Sequence, residues 1–507
     1  MKHTLILIVM LILAGVYYDY PTMFEHLPRS AHQWRQSDGA SFAMNYYQNG
    51  MDFFKPQFHN LLEGDGLCVA EFPGLYYLVA VLYKIFGVHE GIFRLLSFII
   101  FATGLIALSK IILKATKDDM LSYFVPMLMM TSPVLAFYAF SFLPNIPALG
   151  FIMIGWYYFH RYYESSKLGS FYVACLFFTL GGLMKITAML SVVPIFAVYF
   201  FELVGIYKFK KIERIFENRL LTVIPLVIMT AVIAGWYIYA SHFNNNHTNY
   251  FLMTSRAVWS IPEKDATYAF IRIFKLWAPH YFSWFTHGLI ALALVWITFT
   301  PKRHHPFLYF LTILCSIGVI LNVLIWLGSF IDHDYYVIEL MILPPIALVT
   351  FAIFLKKHYP KFVSSMALKW ILAIFVLFNA YQTKKNLDYR QLPDSTFSVH
   401  FNPTFYEHEE IRQFLADNGI AYPTKVISIP DRSPNNSLYY MNLRGWTELF
   451  NYPFDTEKVK LFETYGAEYL IITDKSYLEK PELQGAFAKP IANYKESIFV
   501  FDVQGLE

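Results

Sequence analysis

The stretch FPGLYYLVAVLYKIF, residues 72–86, decides how this chain crosses a membrane. It is apolar, but it is only 15 residues long, rich in tyrosine and interrupted by Lys84. A bilayer span needs about 20 mostly apolar residues. A shorter amphipathic helix can lie in the headgroup plane instead. The choice between these readings sets the sidedness of every later segment.

Working outward, eleven further segments read as spans: about 3–20, 92–114, 119–139, 145–162, 168–184, 187–206, 220–240, 282–299, 306–328, 336–355 and 367–383. The 507-residue chain is 56% hydrophobic and 15% charged, against about 25% charged in soluble domains. Its mean hydropathy is +0.40. With residues 72–86 interfacial and the amino terminus inside, the cytoplasmic connections carry Lys114 and Lys117, then Arg161 and Lys167, then Lys208, Lys210, Lys211, Arg214 and Arg219. Lys302 and Arg303, and finally Lys356, Lys357 and Lys361, complete the series. If residues 72–86 crossed the membrane, every one of these basic connections would lie outside, against the positive-inside tendency. The interfacial reading therefore holds. Met1-Lys2-His3 followed by Thr4 to Val16 looks like a signal peptide without a small-x-small cleavage site, and is expected to be a retained signal anchor.

This topology predicts a polytopic α-helical membrane protein of about 11 transmembrane helices. A transmembrane domain, residues 1–383, includes a first outer loop, 21–91; a small extracytoplasmic α/β domain, 384–507, follows. In that tail hydropathy falls and Pro393, Pro403, Pro423, Pro430 and Pro434 return. Val426–Ile429, Glu468–Ile472 and Ser497–Phe501 have strand character; Glu407–Asn418 and Asp455–Tyr465 have helical spacing, the latter with Gly466 as a cap. No internal repeat is evident.

The unusual polar residues fall on the predicted outer face. In His32-Gln33-Trp34-Arg35-Gln36-Ser37-Asp38, Trp34 offers a stacking face, Arg35 a guanidinium and Gln36 an amide. Arg pairs with phosphate, Trp packs on sugars, and a carboxylate can take a hydroxyl proton. Asp38 could equally cap the helix that Phe42, Tyr46 and Tyr47 imply. Glu71, before Phe72-Pro73, has the position favoured by a helix dipole, or is a second site carboxylate. Arg94 and Lys185 could snorkel or bind phosphate. His333-Asp334-Tyr335-Tyr336 opens a span and offers either an aromatic belt or a polar site. A metal stays open: Asp38, Glu71 and His333 are candidate ligands, without spacing that fixes a site, so the cofactor is a divalent ion or none.

Other classes are excluded or weakened. A net charge of +3 gives no case for nucleic acid. Three cysteines, Cys68, Cys175 and Cys315, imply no disulfide framework. There is no Walker loop, GxGxxG unit or GxSxG elbow. Asn246-His247-Thr248 and Asn435-Asn436-Ser437 are sequons short enough to be chance.

Trp34-Arg35-Gln36-x-Asp38, the Glu-x-Pro element at Glu71, the outer Arg94 and His333-Asp334-Tyr335-Tyr336 resemble the GT-C membrane glycosyltransferases, most nearly the protein O-mannosyltransferase and lipid A aminoarabinose transferase branch. The likeness covers about residues 1–385. It implies transfer of a sugar from a polyprenyl-phosphate donor to a glycan, lipid or protein acceptor at the extracytoplasmic face of a bacterial inner membrane, with inversion. Asp38 would be the general base; Arg35, Arg94, Lys185 and His333 would be candidates to stabilise the phosphate leaving group. Asp334 and Tyr335 join the implied substrate-binding set. Gly39 follows Asp38 where many relatives have a second acid. Asn145 stands where many have an acid in the second outer loop; it could hydrogen-bond sugar or hold the base. Glu71-Phe72-Pro73 replaces a Lys-Pro-Pro type element. A transporter and a catalytically inactive glycolipid-binding or assembly relative remain as alternatives.

Overall fold

The computed structural model describes residues 2–62, 64–210, 214–247, 255–392, 395–397, 410–449, 454–487 and 489–504. Lys211, Thr248, Pro393, Pro403 and the start of the helix expected from Glu407 lie outside these residues. The chain forms two compact units: Met1–Phe24 with Arg94–Ile238 and Met253–Asp388, and Glu25–Phe93 with Tyr239–Leu252 and Tyr389–Glu507.

The first unit is helical. A helix covers each of the eleven apolar segments. Among the described residues six are long and apolar enough to cross a membrane: Glu90–Thr116, Ile186–Leu203, Arg219–Asn246, Pro306–Ile325, Asp334–His358 and Met366–Arg390. Two bent pairs raise this to eight if each pair counts as one span. Segment 119–139, expected to be one helix, breaks into Asp119–Met130 and Pro133–Ala139 with a 75° bend. Pro133 cannot donate to the preceding turn, and the Ser132 hydroxyl caps the new helix at 3.5 Å from the Leu135 N–H. The region expected as loop 242–281 is helical from Glu263 to Tyr281 and turns 102° into Trp284–Phe299.

Small residues set one close helix contact. A Cβ on Gly104 would lie 2.8 Å from the Gly150 carbonyl oxygen, and one on Gly150 would lie 2.8 Å from the Ile100 carbonyl oxygen. Helices Glu90–Thr116 and Asn145–Ser165 therefore touch backbone to backbone, as small residues allow in lipid.

The second unit is built on a five-stranded sheet: β1 (Lys425–Ile429), β2 (Arg444–Thr447), β3 (Tyr469–Ile472), β4 (Ala492–Tyr494) and β5 (Ile498–Asp502), in the order β2-β1-β3-β5-β4. β1 is parallel to β2 and β3, with Ile427 opposite Trp446 and Leu470. β5 is antiparallel to β3 and β4. β1, β3 and β5 match the three strands expected. β2 and β4 escape sequence reading because each has only three or four residues and little alternation. Ile427, Ile429, Leu470, Ile472, Phe499 and Phe501 form the core of this unit, with Trp446 and Leu61.

Leu61 belongs to the first long loop, and the loop extends the sheet. Its N–H donates to the Gly445 carbonyl at 2.8 Å, and the Gly445 N–H donates to His59 at 3.0 Å. The unit also contains helices Ile411–Asp417, Asn436–Met441 and Thr456–Thr464 from the tail, and helix Gln33–Gln48 and the 13-residue helix Gly74–Phe86 from the first loop region. The latter is about 20 Å long, shorter than a hydrocarbon core of about 30 Å. It buries Leu75, Tyr76, Val79, Ala80 and Tyr83 on one face and exposes Leu78, Ile85 and Phe86.

Candidate active site

Asp38 is the sixth residue of helix Gln33–Gln48, so it does not cap that helix. His32, in the left-handed region at φ 53°, precedes the first turn. Asp38 is only 2% exposed. Its Oδ1 accepts a hydrogen bond from Asn435 Nδ2 at 2.8 Å. Its Oδ2 lies 3.9 Å from Arg35 Nη1, one helical turn earlier. Arg35 donates through Nη2 to Glu71 Oε1 at 2.6 Å, and the Tyr76 hydroxyl donates to Glu71 Oε2 at 3.3 Å. Arg35 thus sits between two carboxylates, and Glu71 forms an ion pair two residues ahead of the Pro73 N-cap.

Burial pushes the Asp38 carboxyl up to about 7. Arg35 and the Asn435 amide pull it down, while Glu71 and Asp431 push it up. A carboxyl so placed exchanges a proton near neutral pH, as a general base must. Ordinary aspartates are fully ionised there.

A polar network surrounds this pair. Asn435 Oδ1 accepts from Ser41 Oγ at 3.1 Å, from the His59 N–H at 3.1 Å and from the Asn60 N–H at 3.4 Å. Ser41 Oγ lies 2.7 Å from His59 Nδ1. Burial, then the Arg444 and Arg412 charges, push the His59 imidazole down to about 3, so it is neutral. The Tyr439 hydroxyl donates to both Glu90 oxygens, at 2.9 and 2.7 Å. None of Ser41, His59, Glu90, Asn435 and Tyr439 stood out in the sequence as a site residue. Asn435 carried only a sequon signal, and its burial with its amide on Asp38 leaves it unavailable for glycosylation.

Gln36 donates through Nε2 to the Arg29 and Ala31 carbonyls at 2.9 and 2.8 Å, which holds the loop before the helix. Trp34 is half-buried at the second helical position.

The first unit holds the other expected residues. Arg94 lies over the Phe142 ring at 4.3 Å and reaches the Phe24 carbonyl at 3.4 Å. Asn145 opens helix Asn145–Ser165 and donates to Glu339 Oε1 at 2.7 Å, so the amide there has a buried acid as its partner. Lys185 is an extended residue between helix Leu168–Met184 and the turn Ile186–Ser191. His333 stacks on Tyr336 at 5.6 Å. Asp334, fully buried, accepts from the Tyr138 hydroxyl at 2.7 Å, and Tyr335 meets the Tyr138 ring edge-on at 5.9 Å.

Among the described residues no three His, Cys, Asp or Glu side chains are grouped to hold a metal ion. The Asp38 and Glu71 oxygens instead face Asn435, Arg35 and Tyr76. This donor set does not fit a metal centre.

One unit is a set of apolar helices, and the other is an α/β unit that buries an aspartate beside an arginine. The family model described as dolichyl-phosphate-mannose-protein mannosyltransferase matches residues 71–239. The fold is that of three solved GT-C proteins. ArnT from Cupriavidus metallidurans aligns with a TM-score of 0.62 at 12% identity, covering 98% of this chain and 97% of that one. The Archaeoglobus fulgidus oligosaccharyltransferase, crystallised with a tethered acceptor peptide, aligns with a TM-score of 0.55 at 12% identity, over 98% and 74% of the two chains. The mycobacterial arabinofuranosyltransferase AftD aligns with a TM-score of 0.55 at 12% identity, over 98% of this chain and 41% of its own. No curated protein sequence matches. The resemblance to GT-C membrane glycosyltransferases therefore rests on a family model over 71–239 and on a fold shared along nearly the whole chain.

Proposed function

We propose that this protein transfers a sugar from a polyprenyl-phosphate carrier to a hydroxyl of a glycan, lipid or protein acceptor, with Asp38 as the general base. The observation that carries the reading is the Asp38 carboxyl itself: fully buried, held at Oδ1 by Asn435, flanked at Oδ2 by Arg35 and poised near neutral pH. In the reaction the acceptor oxygen attacks the anomeric carbon from the face opposite the phosphate. Its proton passes to Asp38 Oδ2. The bond between the anomeric carbon and the phosphate oxygen breaks, and the lipid phosphate leaves with the electron pair, so the configuration inverts. Asp38 then returns the proton to solvent.

Arg94, Lys185 and His333 are the cationic or protonatable groups assigned to the lipid phosphate. Trp34 and Tyr335 offer sugar-stacking faces, and Asn145 and Asp334 polar contacts. On the reading of about eleven spans with the amino terminus inside, Asp38 lies on the extracytoplasmic face of a bacterial inner membrane. Basic inner connections support this sidedness.

The test uses the full chain in liposomes with polyprenyl-phosphate sugars of several kinds, read by loss of donor, and compares surface glycans of a deletion strain with those of its complemented form. Turnover of no donor, together with unchanged glycans in the deletion strain, would favour an inactive assembly protein. Substituted-cysteine labelling at residue 432 or residue 302 checks sidedness: residue 432 should label from outside and residue 302 should not.

A further inference from the structure

We propose that Asn435, from the tail, is the positioning residue of Asp38: its amide N–H holds Oδ1 so that Oδ2 alone remains to take the acceptor's proton. The inference rests on Asp38 being the base. It assigns the carboxy-terminal region a direct part in proton transfer.

The orientation of the Asn435 amide follows from its surroundings. Its oxygen faces three donors, the Ser41 hydroxyl and the backbone N–H groups of His59 and Asn60. An amide whose oxygen is fixed in this way must present its NH2 to the other side, where Asp38 Oδ1 lies 2.8 Å away. Both partners are buried, Asn435 completely, so an unmet donor or acceptor here would be costly.

The loop that delivers Asn435 is anchored independently. It leaves the carboxyl end of β1, the middle strand of the parallel trio, where open α/β sheets commonly place functional groups. Asp431 Oδ1 accepts from the Ser433 N–H and Oδ2 from the Ser437 N–H, each at 2.8 Å. The Ser433 hydroxyl accepts from the Asn436 N–H at 2.8 Å. Asn435 is therefore held from its own loop and from the first loop, across 397 residues of chain from Asp38.

The charged groups around Asp38 are Arg35 on its own helix, Glu71 before the next helix and Asp431 on the tail loop. Arg35 favours the carboxylate; the two acids disfavour it. Asn435 is the uncharged donor in this set, and its hydrogen bond is stronger to the ionised form than to the protonated one. Removing it should raise the pH at which Asp38 loses its proton.

The test is a pH titration by infrared difference spectroscopy on the full chain in nanodiscs, with the Asp38 carboxyl band identified by its loss in Asp38→Asn. No substrate is needed. Asn435→Ala should move the midpoint upward by about one to two pH units, the worth of a hydrogen bond to a charged group. Asn435→Asp keeps an oxygen for the three donors, guards against misfolding, and should move the midpoint up at least as far. Asn60→Ala breaks the neighbouring contact to Thr447 (3.0 Å) and should leave the midpoint in place. In transfer assays the acid limb should move with the infrared midpoint, so activity lost at neutral pH returns at alkaline pH; a purely structural role would lower activity equally at all pH values. A midpoint unmoved in Asn435→Asp overturns the inference. That failure is distinct from failure of the proposed function, which appears as undiminished transfer by Asp38→Asn.

Discussion

Asp38→Asn separates activity from stability. The substitution keeps the shape of the side chain and an oxygen to accept from Asn435, but removes the proton acceptor. A positioned base contributes about 10²–10⁴-fold, or about 3–5 kcal/mol of transition-state stabilisation. The effect on folding has the opposite sign. The folded carboxyl is raised from 3.8 to about 7, so the folded state binds its proton more tightly than the unfolded chain. Stability from this group is complete at acid pH, declines as pH rises between these values, and is constant above about 7. The full span corresponds to roughly 4 kcal/mol of lost stability at alkaline pH. Asparagine cannot ionise, so the variant should unfold at the same or a higher temperature at pH 8. The gain stays below the full figure, because Arg35 loses part of its partner at 3.9 Å. The assays are donor turnover in liposomes and thermal unfolding in detergent on the same preparation. Transfer at the wild-type rate refutes the base. A large loss of activity accompanied by a lower unfolding temperature shows instead that the carboxylate supports folding.

In the wild type, transfer should fall about tenfold per pH unit below about 7, since the base must be ionised; a flat profile down to pH 5 contradicts the placement of the titrating group. Gly445→Ala puts a Cβ 1.7 Å from the Val426 carbonyl oxygen, and should cost about 3 kcal/mol through β1–β2 separation, read as early proteolysis within the tail. Gly150→Leu would set a Cβ 2.8 Å from the Ile100 carbonyl oxygen and force apart helices Glu90–Thr116 and Asn145–Ser165; it should cost about 1–3 kcal/mol, seen as a lower unfolding temperature with Asp38 chemistry otherwise intact. Asn145→Ala leaves the buried Glu339 without its 2.7 Å donor; a destabilisation of about 1–3 kcal/mol is expected, and Asn145→Gln should not restore it, because the longer chain misplaces the amide.

Much of the fold was legible in the sequence because the signals are local. Each of the eleven apolar runs became helical, and the run at residues 72–86 formed a helix too short to cross a hydrocarbon core. Val426–Ile429 and Ser497–Phe501 showed their strands through β-branched and aromatic residues. The bends at Ser132 and Ser283 have local causes, a serine cap at each and Pro133 at the first, but continuous hydropathy across the break masks them; the short strands β2 and β4 were not legible, because tertiary packing outweighs weak local preference there.

The site divides in the same way. Residue type brought Arg35, Asp38 and Glu71 forward, the first two in one polar run and the third in a Glu-x-Pro element ahead of the next helix. Their pairing, and the choice of Asn435 as the donor to Asp38, were decided by tertiary structure. Hydropathy is a property of a dozen neighbouring residues. The proton affinity of a buried carboxyl depends on whichever polar groups the folded chain brings within a few ångströms, here one supplied from 397 residues away.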